Sequence, residues 1–461
     1  MKKKFYLFSL LAGLMFGMIG FSSCCSTDEA ILPPEPAPAP APDPEPEPDP
    51  YAEMLKTPLT LEAAADGTIT FDSKASGIVT YKINDGEAQT IAANTSKDIT
   101  VTAGQTVAFF GDNAAYATST TNYSNITSTA DFYVYGNIMS LVSSADYANA
   151  TTLTEPMAFM GLFRFNTCLK SHSSKPLVMP ATTLTEGCYY GILWGCTGLT
   201  SVPVLPATTM AKNCYYGMFY DCSGLTSATA LPAMALAEGC YRYMFNGCTS
   251  LASAPVLPAT TMAESCYRAM FNGCTSLTSA PALPADVLAN YCYLDMFKGC
   301  SSLTSAPVLP ATTMKDWCYQ SMFRDCTSLT SAPALPAMNL AQSCYYSMFY
   351  GCTNLTSAPA LPATTLVSNC YNSMFYDCTS LTAAPNLLVP VLAPDCYSYM
   401  FYGCTNLNYV KCMATDISAS GCTSTWLAGV AATGNFVQAA GTAWPTDNPS
   451  GIPTGWAVAS E

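Results

Sequence analysis

Cysteine recurs at positions 188, 214, 240, 266, 292, 318, 344, 370, 396 and 422, a spacing of 26 residues throughout. A second series at 196, 222, 248, 274, 300, 326, 352, 378 and 404 follows each of the first nine by eight residues. The unit reads C-Y-x-x-M-F-x-[GD]-C-T-S-L-T-S-A-P-x-L-P-A-T-T-M-A-x-x. A typical copy is Cys266-Tyr267-Arg268-Ala269-Met270-Phe271-Asn272-Gly273-Cys274, continuing through Leu277, Pro281 and Leu283-Pro284. One such unit cannot bury its own apolar face, so its copies have to stack, and a fixed period of this size means a solenoid.

Within the unit, Cys266, Met270, Phe271 and Cys274 lie near helical spacing, which predicts a turn or two of helix. Gly or Asp before the second cysteine (Gly195, Asp221, Gly247, Asp325) suits a turn residue with positive φ. The Leu-Thr-Ser-Ala segment is the expected strand. Proline at 203, 255, 281, 307, 333, 359 and 385 lacks an N–H in the stacking direction. The parallel sheet should therefore be narrow, about three or four residues wide, before it passes into polyproline-like backbone. The expected class is an α+β solenoid of short parallel strands and short helices.

The F-x-x-C-x-x-L core, as in Phe219-Tyr220-Asp221-Cys222-Ser223-Gly224-Leu225, with an L-P step after it, resembles the bacterial BspA-like leucine-rich repeats also found in Treponema surface proteins. The resemblance spans residues about 155–425. The family's commonest unit is shorter and has Ile where the first cysteine stands here. The resemblance implies a solenoid of leucine-rich-repeat type on a surface-exposed protein that adheres to host proteins and other cells.

The segments before the array carry an address. Lys2, Lys3 and Lys4 precede an apolar run from Phe5 to Phe21 and then Ser22-Ser23-Cys24, the layout of a secretory signal over residues 1–23. The arrangement resembles a bacterial lipoprotein signal with Cys24 as the lipidated residue; simple cleavage and secretion is the alternative. From Pro33 to Pro50, proline alternates with Ala, Asp and Glu. Residues 24–56 thus read as an acidic, extended linker whose proline tract reaches roughly 55 Å at ~3.1 Å per residue. In the gut Bacteroidetes proteins that this one resembles, acidic residues after the lipidated cysteine accompany export to the outer leaflet of the outer membrane. Residues 57–136 contain no cysteine and read as a small immunoglobulin-like β-sandwich acting as spacer or stalk, from runs such as Ile78-Val79-Thr80-Tyr81-Lys82-Ile83 and the Asp85-Gly86 turn. Residues 137–187, with the lone Cys168, look like a degenerate first unit and N-terminal cap. Nine regular repeats follow over 188–422. Residues 423–461, with Trp426, Trp444 and Trp456, read as a C-terminal cap.

Chemistry-bearing residues are scarce. Charged residues make up 10% of the chain, against about 25% in ordinary soluble domains. The net charge of −14 argues against a nucleic-acid partner, which needs a basic stripe. His172 is the single histidine, read as a loop residue, and no Cys-x-x-Cys occurs, so neither a metal nor another cofactor is expected. No pair of carboxylates recurs in a way that would build a glycosidase cleft. Both cysteine series stand at apolar core positions, and the reading is mostly free, buried thiols. An enzyme is only a residual reading.

What differs between near-identical copies is informative. The position after Phe reads Trp194, Tyr220, Asn246, Asn272, Lys298, Arg324, Tyr350, Tyr376 and Tyr402. The second residue after the first cysteine includes Arg242 and Arg268, and Tyr291 and Trp317 precede that cysteine in their units. Tyr, Trp and Arg are enriched at recognition surfaces, so these are the candidate binding residues; neutral drift on an exposed face would vary them equally. The recurring Tyr215, Tyr241 and Tyr267 are expected as a packed ladder. Expected partners are host extracellular-matrix or cell-surface proteins, with glycans as the alternative and a membrane contact through the lipid alone. Cys24→Ser is expected to abolish palmitate labelling and release the protein from membranes; a retained label would sink the lipidation assignment.

Overall fold

A solenoid of nearly identical units has to hydrogen-bond each unit to the next, and proline denies half of this unit that possibility. In the computed structural model, which describes residues 49–446 and 449–461, the cysteine-bearing half supplies those bonds. The signal segment 1–23, Cys24 and the linker to residue 48 lie outside the described residues.

The segment expected as helix is a succession of nested turns. Ser265, Ala269 and Gly273 are left-handed, with φ of 56°, 51° and 75°. The same four-residue beat starts at Met157, Gly187 and Asn213 and continues to Gly421, Thr425 and Gly429. Alternate N–H groups then point in different directions. Those of Cys266, Arg268, Met270 and Asn272 bond three residues back within their own coil, at 3.2–3.3 Å. Those of Tyr267, Ala269, Phe271 and Gly273 donate to the carbonyls of Cys292, Leu294, Met296 and Lys298 in the following coil, at 2.7–3.0 Å. A left-handed residue at every fourth position ends any α-helix, and between residues 187 and 408 no helix forms. Ser, Ala, Tyr or Trp in that conformation costs of order 1–3 kcal/mol; the cross-coil bonds hold them there.

Two residues of each four turn inward, so the C-Y, M-F and C of the unit make the core. Tyr215, Tyr241 and Tyr267 are buried and stack in register at 5.7–5.8 Å. Phe245, Phe271 and Phe297 do the same at 5.7–5.8 Å. The second cysteine column has a polar task as well. The Sγ of Cys248, Cys274, Cys300 and Cys326 each donates at 3.1 Å to the Phe carbonyl of the preceding coil. That carbonyl already accepts an N–H from its own coil, so the thiol uses its second lone pair.

The expected sheet is reduced further than anticipated. In the regular units it consists of isolated parallel bridges, Thr209 to Ala235 to Thr261 to Val287, Ser279 to Ser305 and Thr313 to Asn339. The two prolines of the unit together limit it: Thr229 replaces the first in one unit, which keeps Pro232 and forms no strand. Lys411 and Ala414 stand where most earlier units carry both prolines, and there the pairing widens into strand β13 (Tyr409–Cys412), followed in parallel by β14 (Asn435–Gln438) and β15 (Ala457–Ser460).

The N-terminal part is two antiparallel layers. Its strands are β1 (Thr60–Ala63), β2 (Gly67–Asp72), β3 (Val79–Ile83), β4 (Gln89–Ile91), β5 (Ser96–Val101), β6 (Thr106–Gly111), β7 (Ala117–Ser119), β8 (Asn122–Tyr123), β9 (Asn125–Ser128) and β10 (Phe132–Asn137). One layer runs β10-β1-β6-β3-β4, the other β5-β2-β9. This body is continuous with the array. Strand β10 pairs in parallel with β11 (Leu169–Ser171) and β12 (Leu177–Val178) of the first unit. Tyr116 and Ile126 donate their N–H groups to the carbonyls of Ala158 and Leu162 in the first coil, and Asn125 Nδ2 reaches those of Gly161 and Arg164. A single apolar core runs from Leu59 to Trp456. Pro50–Leu55, assigned above to the linker, forms a short helix whose Met54 packs on Tyr135 and Val178. At the far end Trp426 stacks on Tyr397 and donates to Gly451 O.

One column sets a packing rule. A Cβ on Gly247 would collide with the Asp221 carboxylate of the preceding coil, whereas one on Gly273 meets only Gly247 backbone at 3.7 Å. Gly273→Ala should therefore cost about 1–2 kcal/mol, the left-handed penalty alone. Gly247→Ala should cost about 1 kcal/mol or more beyond that, and Asp221→Gly should recover the excess. Urea unfolding of the singles and the double checks this; equal costs at both glycines would refute the collision.

Candidate functional site

Packing leaves one residue of each four half-exposed on the coil, and this builds two columns. One is the position after Phe. The other is the second residue after the first cysteine. Left-handed residues lie between them. The first column carries Trp194, Tyr220, Arg324, Tyr350, Tyr376 and Tyr402; the second carries Arg242 and Arg268, together with Tyr190 and Tyr216. All ten of these side chains are half-buried.

Adjacent coils bring like residues face to face. Tyr190 stacks on Tyr216 at 4.3 Å, Trp194 on Tyr220 at 4.2 Å, Tyr350 on Tyr376 at 4.4 Å and Tyr376 on Tyr402 at 4.6 Å. These rings spend their faces on each other and present edges and hydroxyls outward. Burial and the neighbouring tyrosines push the Tyr376 phenol up to about 12. Tyr291 and Trp317 also stack, at 5.0 Å, but they stand at left-handed positions in a third column. The candidate residues thus fall into two adjoining columns and one separate pair.

The arginines lie against the rings. Arg164 Cζ sits 4.2 Å from the Trp194 centroid, and Arg324 Cζ 4.1 Å from that of Tyr350. Arg242 lies between Tyr216 and Tyr243, at 5.5 and 5.0 Å. Arg164 and Tyr243 escaped the sequence reading. Arg164 does follow a Phe, Phe163, but that coil is 30 residues from the next rather than 26, so a strict period misses it. Tyr243 occupies a left-handed position that reads as filler in the other units.

Elsewhere the chemistry is muted. His172 Nδ1 accepts from the N–H groups of Ser174 and Lys175, and its ring sits edge-on to Tyr133 and Tyr135. Lys175 bonds Glu62 at 2.9 Å, and that bond holds the Glu62 carboxyl below its usual range. Burial raises the Asp295 carboxyl, against the pull of Lys298. Among the described residues, no group of three His, Cys, Asp or Glu side chains is placed to hold a metal. Every described cysteine from Cys168 to Cys422 is a free thiol.

These features define a leucine-rich-repeat-type solenoid whose side chains vary on the outer positions of a constant coil. A family model for the BspA type leucine rich repeat region matches residues 165–304, 241–382 and 295–421, and the chain belongs to that family. No curated protein matches it.

The buried thiols are poor nucleophiles while folded. Burial pushes Cys222, Cys266 and Cys300 up to about 12, whereas an unfolded thiol ionises near ~8.5. Above that pH the unfolded chain releases protons that the folded one keeps, so stability falls as pH rises, by about 1.4 kcal/mol per thiol per pH unit. The buried thiols, all the described ones but half-exposed Cys168, should ignore Ellman's reagent when native, and the protein should unfold steeply between about pH 8.5 and 10.5. A melting temperature unchanged between those limits would refute the buried-thiol account.

Proposed function

We propose that the chain is a non-catalytic surface lipoprotein, held to the outer membrane through Cys24, whose solenoid coil face adheres to host extracellular-matrix or cell-surface proteins and to other cells. One observation carries the reading. The buried positions repeat almost without change, while Tyr, Trp and Arg gather at the half-exposed positions of two columns. Membership of the BspA type repeat family points the same way, since that family's repeats suggest a protein-binding or adhesion surface. Aromatic and guanidinium side chains already packed against one another lose little freedom on binding, which favours affinity.

Glycan capture is the second reading, and the tyrosine hydroxyl edges favour it. The ring faces inside each stack are occupied at 4.2–4.6 Å. A sugar could therefore stack only on the ends of a ladder and would otherwise meet its polar rim.

Replacing Tyr350, Tyr376 and Tyr402 together by alanine should weaken binding to immobilised fibronectin, fibrinogen or whole cells by tenfold or more, about 1.4 kcal/mol. Unchanged affinity would remove this face from the proposal. Labelling of intact cells by antibody, or loss of the protein to external protease, checks the address; protection in both assays would overturn it.

A further inference from the structure

Arginine is distributed in this chain in a way that composition alone does not require. Its four arginines, Arg164, Arg242, Arg268 and Arg324, all stand in the two half-exposed coil columns, whereas lysine is spread along the sequence. Lys298 is a fifth cation in the same columns. From residue 160 to residue 424 neither column contains an Asp or a Glu, in a protein of net charge −14.

The arginines are also under-used internally. Among the described residues, no carboxylate pairs with Arg164, Arg242 or Arg268, and Arg324 faces Asp325 at 3.4 Å. The Nε atoms of Arg164, Arg242 and Arg268 are buried without a hydrogen-bond acceptor, and that of Arg324 has only the Asp325 carboxylate beside it. Arg242 and Arg268 occupy one column on successive coils, about 4.8 Å apart by the strand-like spacing of the array. Two like charges at that separation repel, and no carboxylate in either column relieves them. The nearby acids stand outside both columns: Glu238 and Glu264 lie four residues before Arg242 and Arg268, Asp325 follows Arg324, and Asp295, at a left-handed position between the columns, feels the charge of Arg268 and Arg324. Aromatic faces hold Arg164, Arg242 and Arg324 in place, so their outward N–H groups are aimed before any ligand arrives. Planar, stacked guanidinium is the group that binds carboxylate and sulfate in bidentate fashion, and lysine does not replace it.

We propose that this part of the coil face, from Arg242 to Arg324, is a binding site for an acidic polysaccharide, sulfated or uronate-bearing, running along the solenoid axis. The inference rests on the coil face being adhesive, as proposed above, and takes the second, glycan reading of that face, naming the ligand's chemistry. A polysaccharide fits better than an acidic peptide. The groups around the arginines are Asn246, Asn272, Gln320 and tyrosine hydroxyl edges, which suit a chain of hydroxyls. A ladder repeating at every coil suits a polymer with a repeating charge.

The test uses the full chain and immobilised heparin, with neutral dextran and poly-glutamate as comparators and the thermal midpoint as a check on folding. Wild type should bind heparin in a salt-dependent way and ignore dextran. The triple variant Arg242→Gln, Arg268→Gln, Arg324→Gln should bind at least tenfold more weakly at an unchanged midpoint. The corresponding lysine variant should recover only a small part of that loss. No heparin binding by wild type, an unaltered triple variant, or full rescue by lysine would each overturn the proposal. Poly-glutamate binding as tightly as heparin would overturn the polysaccharide assignment. Failure on heparin with intact capture of cells or fibronectin removes this inference alone; failure of every capture removes the adhesion reading beneath it.

Discussion

Half of the backbone N–H groups in each coil point at the next unit, and the whole molecule follows from how they are freed to do so. An α-helix would point every donor along its own axis and none at the next unit. A left-handed residue at each fourth position turns alternate donors along the solenoid axis instead, so the coil behaves as one rung of a ladder while still closing its own turns. The strain of placing Tyr, Trp, Ser or Asp at those positions is sustained because each cross-coil bond is repeated at every unit. The prolyl half can then go almost without ladder bonds.

The same geometry accounts for the cysteines. A small, polarizable side chain is needed where the coil closes, and a valine there would fill space without a donor. The thiol reaches the spare lone pair of a buried Phe carbonyl one unit back, so the column is held by packing and by a weak hydrogen bond together. Twenty-three cysteines in a chain whose first residues read as a secretory signal suggest a disulfide scaffold at first sight. Their placement at matched core positions is what argues otherwise.

Much of this was legible in the residues. The period required stacking, Tyr215 and its equivalents were visible as a ladder, and proline was visible as the limit on the sheet. Helix was the wrong reading of Cys266–Cys274 because nine residues are too few to separate a period of four from one of 3.6. Only the requirement to bond neighbouring units distinguishes them, and that is a property of the assembly. The β-layers looked separable for a similar reason: the N–H groups of Tyr116 and Ile126 are ordinary in sequence, and their partners Ala158 and Leu162 belong to a coil set off by 30 residues. Of the face itself, residue types were readable but adjacency was not, and Tyr291 and Trp317 prove to stand apart from the rest.

The column holding Asp221, Asp325 and Asp377 has a bearing on how such a protein can change length. Each aspartate leans into the space left by a glycine in the following unit, and no two successive coils carry a side chain there. Copying an aspartate-bearing unit in tandem would set a Cβ against the carboxylate of its own duplicate, a strain that copying a glycine-bearing unit avoids. The glycine units are therefore the cheaper ones to multiply.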